Sequence, residues 1–219
     1  RKGTLTTMLV VLTASALSAL LSPPVESISV AGRSLQLRQE EMASIDSGSK
    51  IWDAGRVLSA LVQEEASIAG SKVLELGSGT GIGGLTAAAC GARAVLTDRA
   101  SMVPLLEFNI ETNGLDGSAE ATALEWGYDL DADAVRSTHG PFDLVIGSDL
   151  LYAPEVFPEF LETLVALSTP GRTEVLLVHP VRHTEGIFYD AAAEFFDEVC
   201  CQEEIEDCIW ASRLIRREE

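Results

Sequence analysis

The segment Val73-Leu-Glu-Leu-Gly-Ser-Gly-Thr-Gly81 places glycine at alternate positions, Gly77, Gly79 and Gly81, directly after an apolar run. Glycine there lets the chain turn tightly and lets a ligand lie against bare backbone. The helix expected next offers unpaired N–H groups at its start. A dinucleotide site normally spaces its glycines G-x-G-x-x-G so that pyrophosphate rests on that helix, and Gly77, Gly79 and Gly84 give only a looser version. Glu75 would crowd a pyrophosphate, whereas it can receive the ammonium of an amino-acid moiety, directly or through water. Asp98 ends the next apolar run, where an acidic residue takes ribose hydroxyls. Loop and Asp98 indicate a nucleoside in the first crevice of a sheet, and Glu75 tilts the choice from NAD to S-adenosylmethionine.

The elements around these residues follow from periodicity. Ser27 to Leu37 alternates apolar and polar on both sides of Ala31-Gly32, a β-hairpin signal, and a polar loop runs from Ser44 to Lys50. Ile51 to Val62 reads as an amphipathic helix. Strands are expected at Lys72–Leu76, Ala94–Thr97, Glu120–Glu125, Phe142–Gly147 and Glu174–His179. Helices are expected at Gly83–Cys90, Ser101–Asn113, Pro154–Leu167 and Thr184–Glu198. Val199–Cys201 and Cys208–Ile215 read as a closing antiparallel pair. The result is one α/β domain over 51–219, a mostly parallel sheet with helices on both faces and a C-terminal antiparallel pair. A hairpin and loop over 25–50 precede it, and 1–24 is an uncharged leader or a packed helix after Lys2.

Taken in order, these pieces resemble methyltransferase family 16, the Rossmann-like seven-strand protein methyltransferases. Glu75-Leu-Gly-Ser-Gly-Thr-Gly81 is similar to their first motif and Leu96-Thr-Asp98 to the acidic motif after it. Trp52-Asp53, Leu124-Glu-Trp-Gly127 and Phe142-Asp-Leu-Val-Ile-Gly-Ser-Asp-Leu-Leu-Tyr152 narrow the resemblance, which runs from about Ser27 to the C-terminus. It implies S-adenosyl-L-methionine as donor, with S-adenosyl-L-homocysteine as product. The implied cofactor contacts are Trp52, Gly77, Ser78, Gly79, Thr80, Gly81, Asp98, Arg99, Trp126 and Ser148, beside Glu75. It also implies that Asp149 and Tyr152 form the substrate motif D/E-x-x-Y, and that the acceptor is a lysine of a protein. One or more family members methylate histidine instead. An Asn-Pro-Pro-Tyr type of motif, used on amides and exocyclic amines, is absent; Asp149-Leu-Leu-Tyr152 occupies its place, and a carboxylate prefers a cation.

Composition bears on the alternatives. The 219 residues include 34 acidic and 15 basic side chains, a formal net charge of −19. Such a surface repels phosphate backbones, so no nucleic-acid partner is expected. His179-Pro-Val-Arg-His183 spaces two histidines as helical ligands would be, but Pro180 follows a strand, and no metal is expected. No G-x-S-x-G elbow exists. Cys90, Cys200, Cys201 and Cys208 lack C-x-x-C spacing and read as reduced thiols. The leader, broken by Pro23-Pro24, is not expected to insert stably in a membrane. The expected setting is cytoplasmic, or organellar if 1–24 belongs to a targeting segment, with a monomer favoured. A methyltransferase acting on histidine, a small molecule or nucleic acid shares the same donor features, as does a non-catalytic binding module.

Overall fold

The computed structural model describes residues 23–39, 47–206 and 208–218, with the side chains of 47 and 198–206 left aside. The leader expected over 1–24 therefore lies, up to Ser22, outside the described residues. Strands β1 (Val25–Val30) and β2 (Arg33–Arg38) form a two-stranded antiparallel sheet. Their turn, Ala31-Gly32, has φ of 47° and 76°, the pair of positive values that a two-residue hairpin turn demands. Helix α1 follows at Asp53–Glu64, after a short 3₁₀ turn at Ser47–Ser49.

The remaining elements alternate as the periodicity predicts. They run β3 (Lys72–Leu76), α2 (Ile82–Ala89), β4 (Arg93–Asp98), α3 (Val103–Thr112), β5 (Ala119–Ala123), α4 (Asp129–His139) and β6 (Leu144–Ser148). Then come α5 (Phe157–Leu167), β7 (Glu174–Pro180), α6 (Glu185–Ala192), β8 (Phe196–Glu206) and β9 (Ile209–Arg216). The seven strands lie in the order β5-β4-β3-β6-β7-β9-β8. β3 to β7 are parallel, β9 runs antiparallel to β7, and β8 antiparallel to β9. Because β3 pairs with both β4 and β6, the chain reverses its winding there, and a crevice opens beyond the carboxyl ends of these strands.

The structure departs from the expectation at two elements. Helix α4 lies where no element is expected, since only Ala132 and Val135 of its eleven residues are buried. The helix expected over Thr184–Glu198 stops at Ala192, because Phe196, which is buried, begins β8. Pairing of that segment with β9 covers the sheet edge and overrides its local helical pattern.

The core occupies both faces of the sheet. Phe142, Phe157, Phe160 and Phe188 fill one side with α5 and α6, while Leu58 and Val62 of α1 cover the other. The hairpin docks by a separate patch, Val30, Leu35 and Leu37 against Leu106 and Ile110 of α3. Cys90 is a free thiol, and the side chains of Cys200 and Cys201 lie outside the described residues.

Candidate active site

A cleft of about 790 Å³ opens at the carboxyl ends of β3 to β7, within the size range of small-molecule sites. Its floor is the turn after β3. Gly77, Gly79 and Gly81 have φ of 56°, 56° and 81°, a left-handed conformation that side chains disfavour. A Cβ on Gly77 would approach Leu150 to 2.6 Å and Trp126 to 3.3 Å, and one on Gly79 would approach the Gly48 carbonyl oxygen to 2.5 Å. The loop is bare because other groups already press on it.

Hydrogen bonds fix that turn to its neighbours. The Ser78 N–H donates to the Thr97 carbonyl at 2.9 Å, and the Thr97 N–H donates to Ser78 Oγ at 2.9 Å. Asp98 Oδ2 accepts the Gly79 N–H at 2.8 Å and Oδ1 accepts the Arg99 N–H at 2.8 Å. Burial pushes the Asp98 carboxyl above its ordinary value, and these two N–H donors oppose the shift.

Most of the residues singled out in the sequence meet in this cleft. Gly77, Ser78, Gly79, Thr80, Asp98 and Arg99 line one part of it. Trp126, Ser148, Asp149 and Tyr152 line another, and Trp52 closes the N-terminal side. The Trp126 ring is held against Phe160, with centroids 4.7 Å apart. Trp52 and Tyr152 remain substantially exposed.

Two of these residues fall elsewhere, and a third differs in how it takes part. Glu75 does not line the cleft. It is buried behind the loop, where Oε1 accepts the Gly83 N–H and Oε2 the Gly84 N–H, each at 3.0 Å. It caps the N-terminus of α2 and so uses the oxygens expected to receive a ligand ammonium. Gly81 also stands outside the lining, turned towards Leu96 and Leu106 at the start of α2. Ser78 lines the cleft, but its hydroxyl is spent on β4 and on the Glu75 carbonyl.

Asp149 directly follows β6 with φ of 57°, and its side chain is largely buried. Burial raises its carboxyl above the usual range, and the nearby Arg182 guanidinium, with an Nη2–Oδ1 separation of 2.6 Å, pulls it back down. Arg182 is a cleft residue that sequence reasoning passed over. Its signal was its position just past β7, at the sheet edge where the cleft must lie. The N-terminal wall of Gly48, Lys50 and Ile51 was missed as well. His179 is buried, with Nε2 2.8 Å from the Tyr189 hydroxyl, and burial lowers its pKa.

Comparison with known proteins adds relatives to this geometry. The sequence profile of the lysine methyltransferase family matches residues 30–200. Protein N-lysine methyltransferase METTL21A of Danio rerio is 36% identical over 137 residues, covering 61% of each chain. Its counterpart in Mus musculus is 32% identical over 164 residues, 73% of this chain and 72% of that one. EEF1A lysine methyltransferase 3 of Xenopus tropicalis is 28% identical over 188 residues, 85% of this chain and 76% of the relative. The chain thus spans about three fifths to three quarters of the length of these relatives. Among solved structures, the 16S rRNA N2 G1207 methyltransferase of T. thermophilus, in complex with AdoMet and guanosine, superposes with a TM-score of 0.63 at 21% identity. That match covers 89% of this chain and 50% of that one. The SAM-dependent methyltransferase of Agrobacterium tumefaciens gives a TM-score of 0.58 at 16% identity, over 86% and 69% of the two chains. Neighbours this distant in sequence establish the seven-strand fold, whereas the profile match and the mouse relative speak to descent. This chain belongs to the lysine methyltransferase family.

Proposed function

We propose that the protein is an S-adenosylmethionine-dependent methyltransferase that modifies a lysine side chain of another protein. The observation that carries this is the shared cleft, with the bare Gly77 and Gly79 backbone and Asp98 in one part of it and the carboxylate of Asp149 in another. The residues fit an amino-acid nucleoside: Gly77 and Gly79 line the cleft without side chains, Asp98 suits ribose hydroxyls, and Trp126 offers an indole. Trp52, Ser78, Thr80, Arg99 and Ser148 would complete the contacts. Bound there, the donor supplies an electrophilic sulfonium methyl carbon and leaves as S-adenosyl-L-homocysteine.

The protein's own residues then position the acceptor and keep water out. A free lysine has a pKa near about 10.4, so exposing its lone pair near neutral pH costs roughly 4 kcal/mol. Asp149 alone would hold the ammonium and make this harder. Its pairing with Arg182 offsets that charge, so the carboxylate orients the amine without fixing the proton on it. Tyr152 and Trp52 supply apolar surface at the exposed side of the cleft, and bulk water takes the proton. We read the enzyme further as a cytoplasmic monomer that uses no metal, binds no nucleic acid and does not insert stably in a membrane. The net charge of −19 supports the exclusion of phosphate backbones. Among the described residues, no helix is long and apolar enough to cross a membrane.

The test incubates the purified protein with radiolabelled S-adenosylmethionine and a cell extract, then identifies the labelled residue by mass spectrometry. A methylated lysine in a protein band is the expected result. Absence of calorimetric heat with S-adenosylhomocysteine would remove the donor site, and label confined to RNA or small molecules would overturn the acceptor.

A further inference from the structure

Asn109 of α3 is fully buried, and its side-chain amide serves three backbone partners. Oδ1 accepts the Arg38 N–H at 2.8 Å, while Nδ2 donates to the Arg38 carbonyl at 3.2 Å and to the Thr80 carbonyl at 2.9 Å. One turn further along, Asn113 holds Gln36 in the same paired way: Oδ1 accepts the Gln36 N–H at 2.7 Å and Nδ2 donates to its carbonyl at 2.8 Å. The two carboxamides act as a third strand beside β2. They differ in one contact. The other Nδ2 bond of Asn113 goes to the Asn109 carbonyl at 2.7 Å, whereas that of Asn109 reaches the glycine loop.

The segment so anchored also builds the cleft. Gln39 Oε1, just past β2, accepts the Ile51 N–H at 2.9 Å, and Ile51 lines the cleft with Gly48, whose carbonyl lies against Gly79. The hairpin therefore touches the glycine loop by two routes, through the Asn109 amide and through the Gly48 wall. A carboxamide is the side chain that can accept one backbone N–H and donate to two carbonyls at once.

We propose that Asn109 is a positioning residue that couples docking of the N-terminal hairpin to the shape of the donor loop. Without it, the Thr80 carbonyl loses its donor in a buried setting and the loop is free to relax. Linkage makes the effect reciprocal: a ligand that needs the loop in this shape also holds the hairpin in place. The inference rests on reading the cleft as the S-adenosylmethionine site.

The test is titration calorimetry with S-adenosylhomocysteine. Asn109→Ala is expected to bind it about tenfold more weakly or worse, from the loss of one buried hydrogen bond. Asn113→Ala, which frees Gln36 but leaves the Arg38 clamp and the Thr80 bond of Asn109 in place, should stay within about twofold of the unmutated protein. Equal affinities for the two variants would overturn the coupling. If Asn109→Ala does not fold, the unmutated protein decides: saturating S-adenosylhomocysteine must slow hydrogen exchange of the Arg38 amide, and unchanged exchange refutes the proposal. An unmutated protein that takes up no S-adenosylhomocysteine defeats the donor reading, whereas retained affinity in Asn109→Ala defeats the coupling alone.

Discussion

At Gly79 a methyl group would lie 2.5 Å from the Gly48 carbonyl oxygen, and the backbone is already at φ of 56°. Holding an L side chain there costs about 1–3 kcal/mol before the collision is counted. Gly79→Ala is therefore expected to lose S-adenosylhomocysteine binding in calorimetry while circular dichroism still reports a folded sheet. Asp149 makes a different demand. Asp149→Ala should abolish methyl transfer and leave S-adenosylhomocysteine affinity nearly unchanged; retained turnover would remove it from the chemistry. Arg182→Gln tests the charge balance. Arg182 lowers the Asp149 carboxyl against burial, so its removal sends that pKa further up. The acid limb of the pH–activity profile should then move to higher pH. An unmoved limb would mean that Asp149 does not titrate in turnover. Gly77, Gly79 and Asp98 could be read from the sequence because each stands at a fixed place at the end of an apolar strand run, and Asp149 through the resemblance of its motif to the family's. Arg182 could be placed only at that sheet edge, because nothing in one dimension says that it turns back onto Asp149.

Elements decide where such side chains face, and Glu75 shows the consequence. Its spacing before the glycine loop reads as a ligand contact, yet its carboxylate ties β3 to α2. Gly83 and Gly84 make that possible, since a Cβ on them would approach the carboxylate oxygens to 2.4 and 3.0 Å. Burial is the dominant influence on Glu75 and pushes its carboxyl from 4.5 up to about 7. Between those two values the folded protein keeps a proton that the unfolded chain has released. The contribution to stability is thus full below about pH 4.5 and falls away as pH rises to about 7, by about 3 kcal/mol. Glu75→Gln should flatten this slope, seen in urea midpoints of the two proteins across that window. Equal slopes would show that the group does not hold its proton. Strands β3, β4, β6 and β7 were legible as apolar runs, because central parallel strands are buried on both faces. Helix α4 was not, since Leu130 is 81% exposed and its acidic first turn resembles a loop. The end of α6 was misjudged because pairing between β8 and β9, separated in sequence by a turn, outweighs local pattern.

At the scale of the whole molecule, the sheet supplies a rigid edge, the hairpin a docked wall, and the surface a charge of −19. That charge acts differently on the two ligands of the proposed reaction. S-adenosylhomocysteine carries one ammonium and one carboxylate, so a distant field has little net hold on it. A protein segment presenting lysine is attracted over the Debye length, about 30 Å at 0.01 M salt and about 8 Å at 0.15 M. Raising salt across that range should lower kcat/KM for the acceptor by about tenfold, acting on the encounter rather than on chemistry. Over the same range the calorimetric affinity for S-adenosylhomocysteine should stay within about twofold, because its contacts lie inside the cleft and are screened little. Both constants falling together would mean that salt loosens the cleft itself. Neither changing would show that the acidic surface serves solubility and that the acceptor is chosen by shape at Trp52, Tyr152 and Asp149.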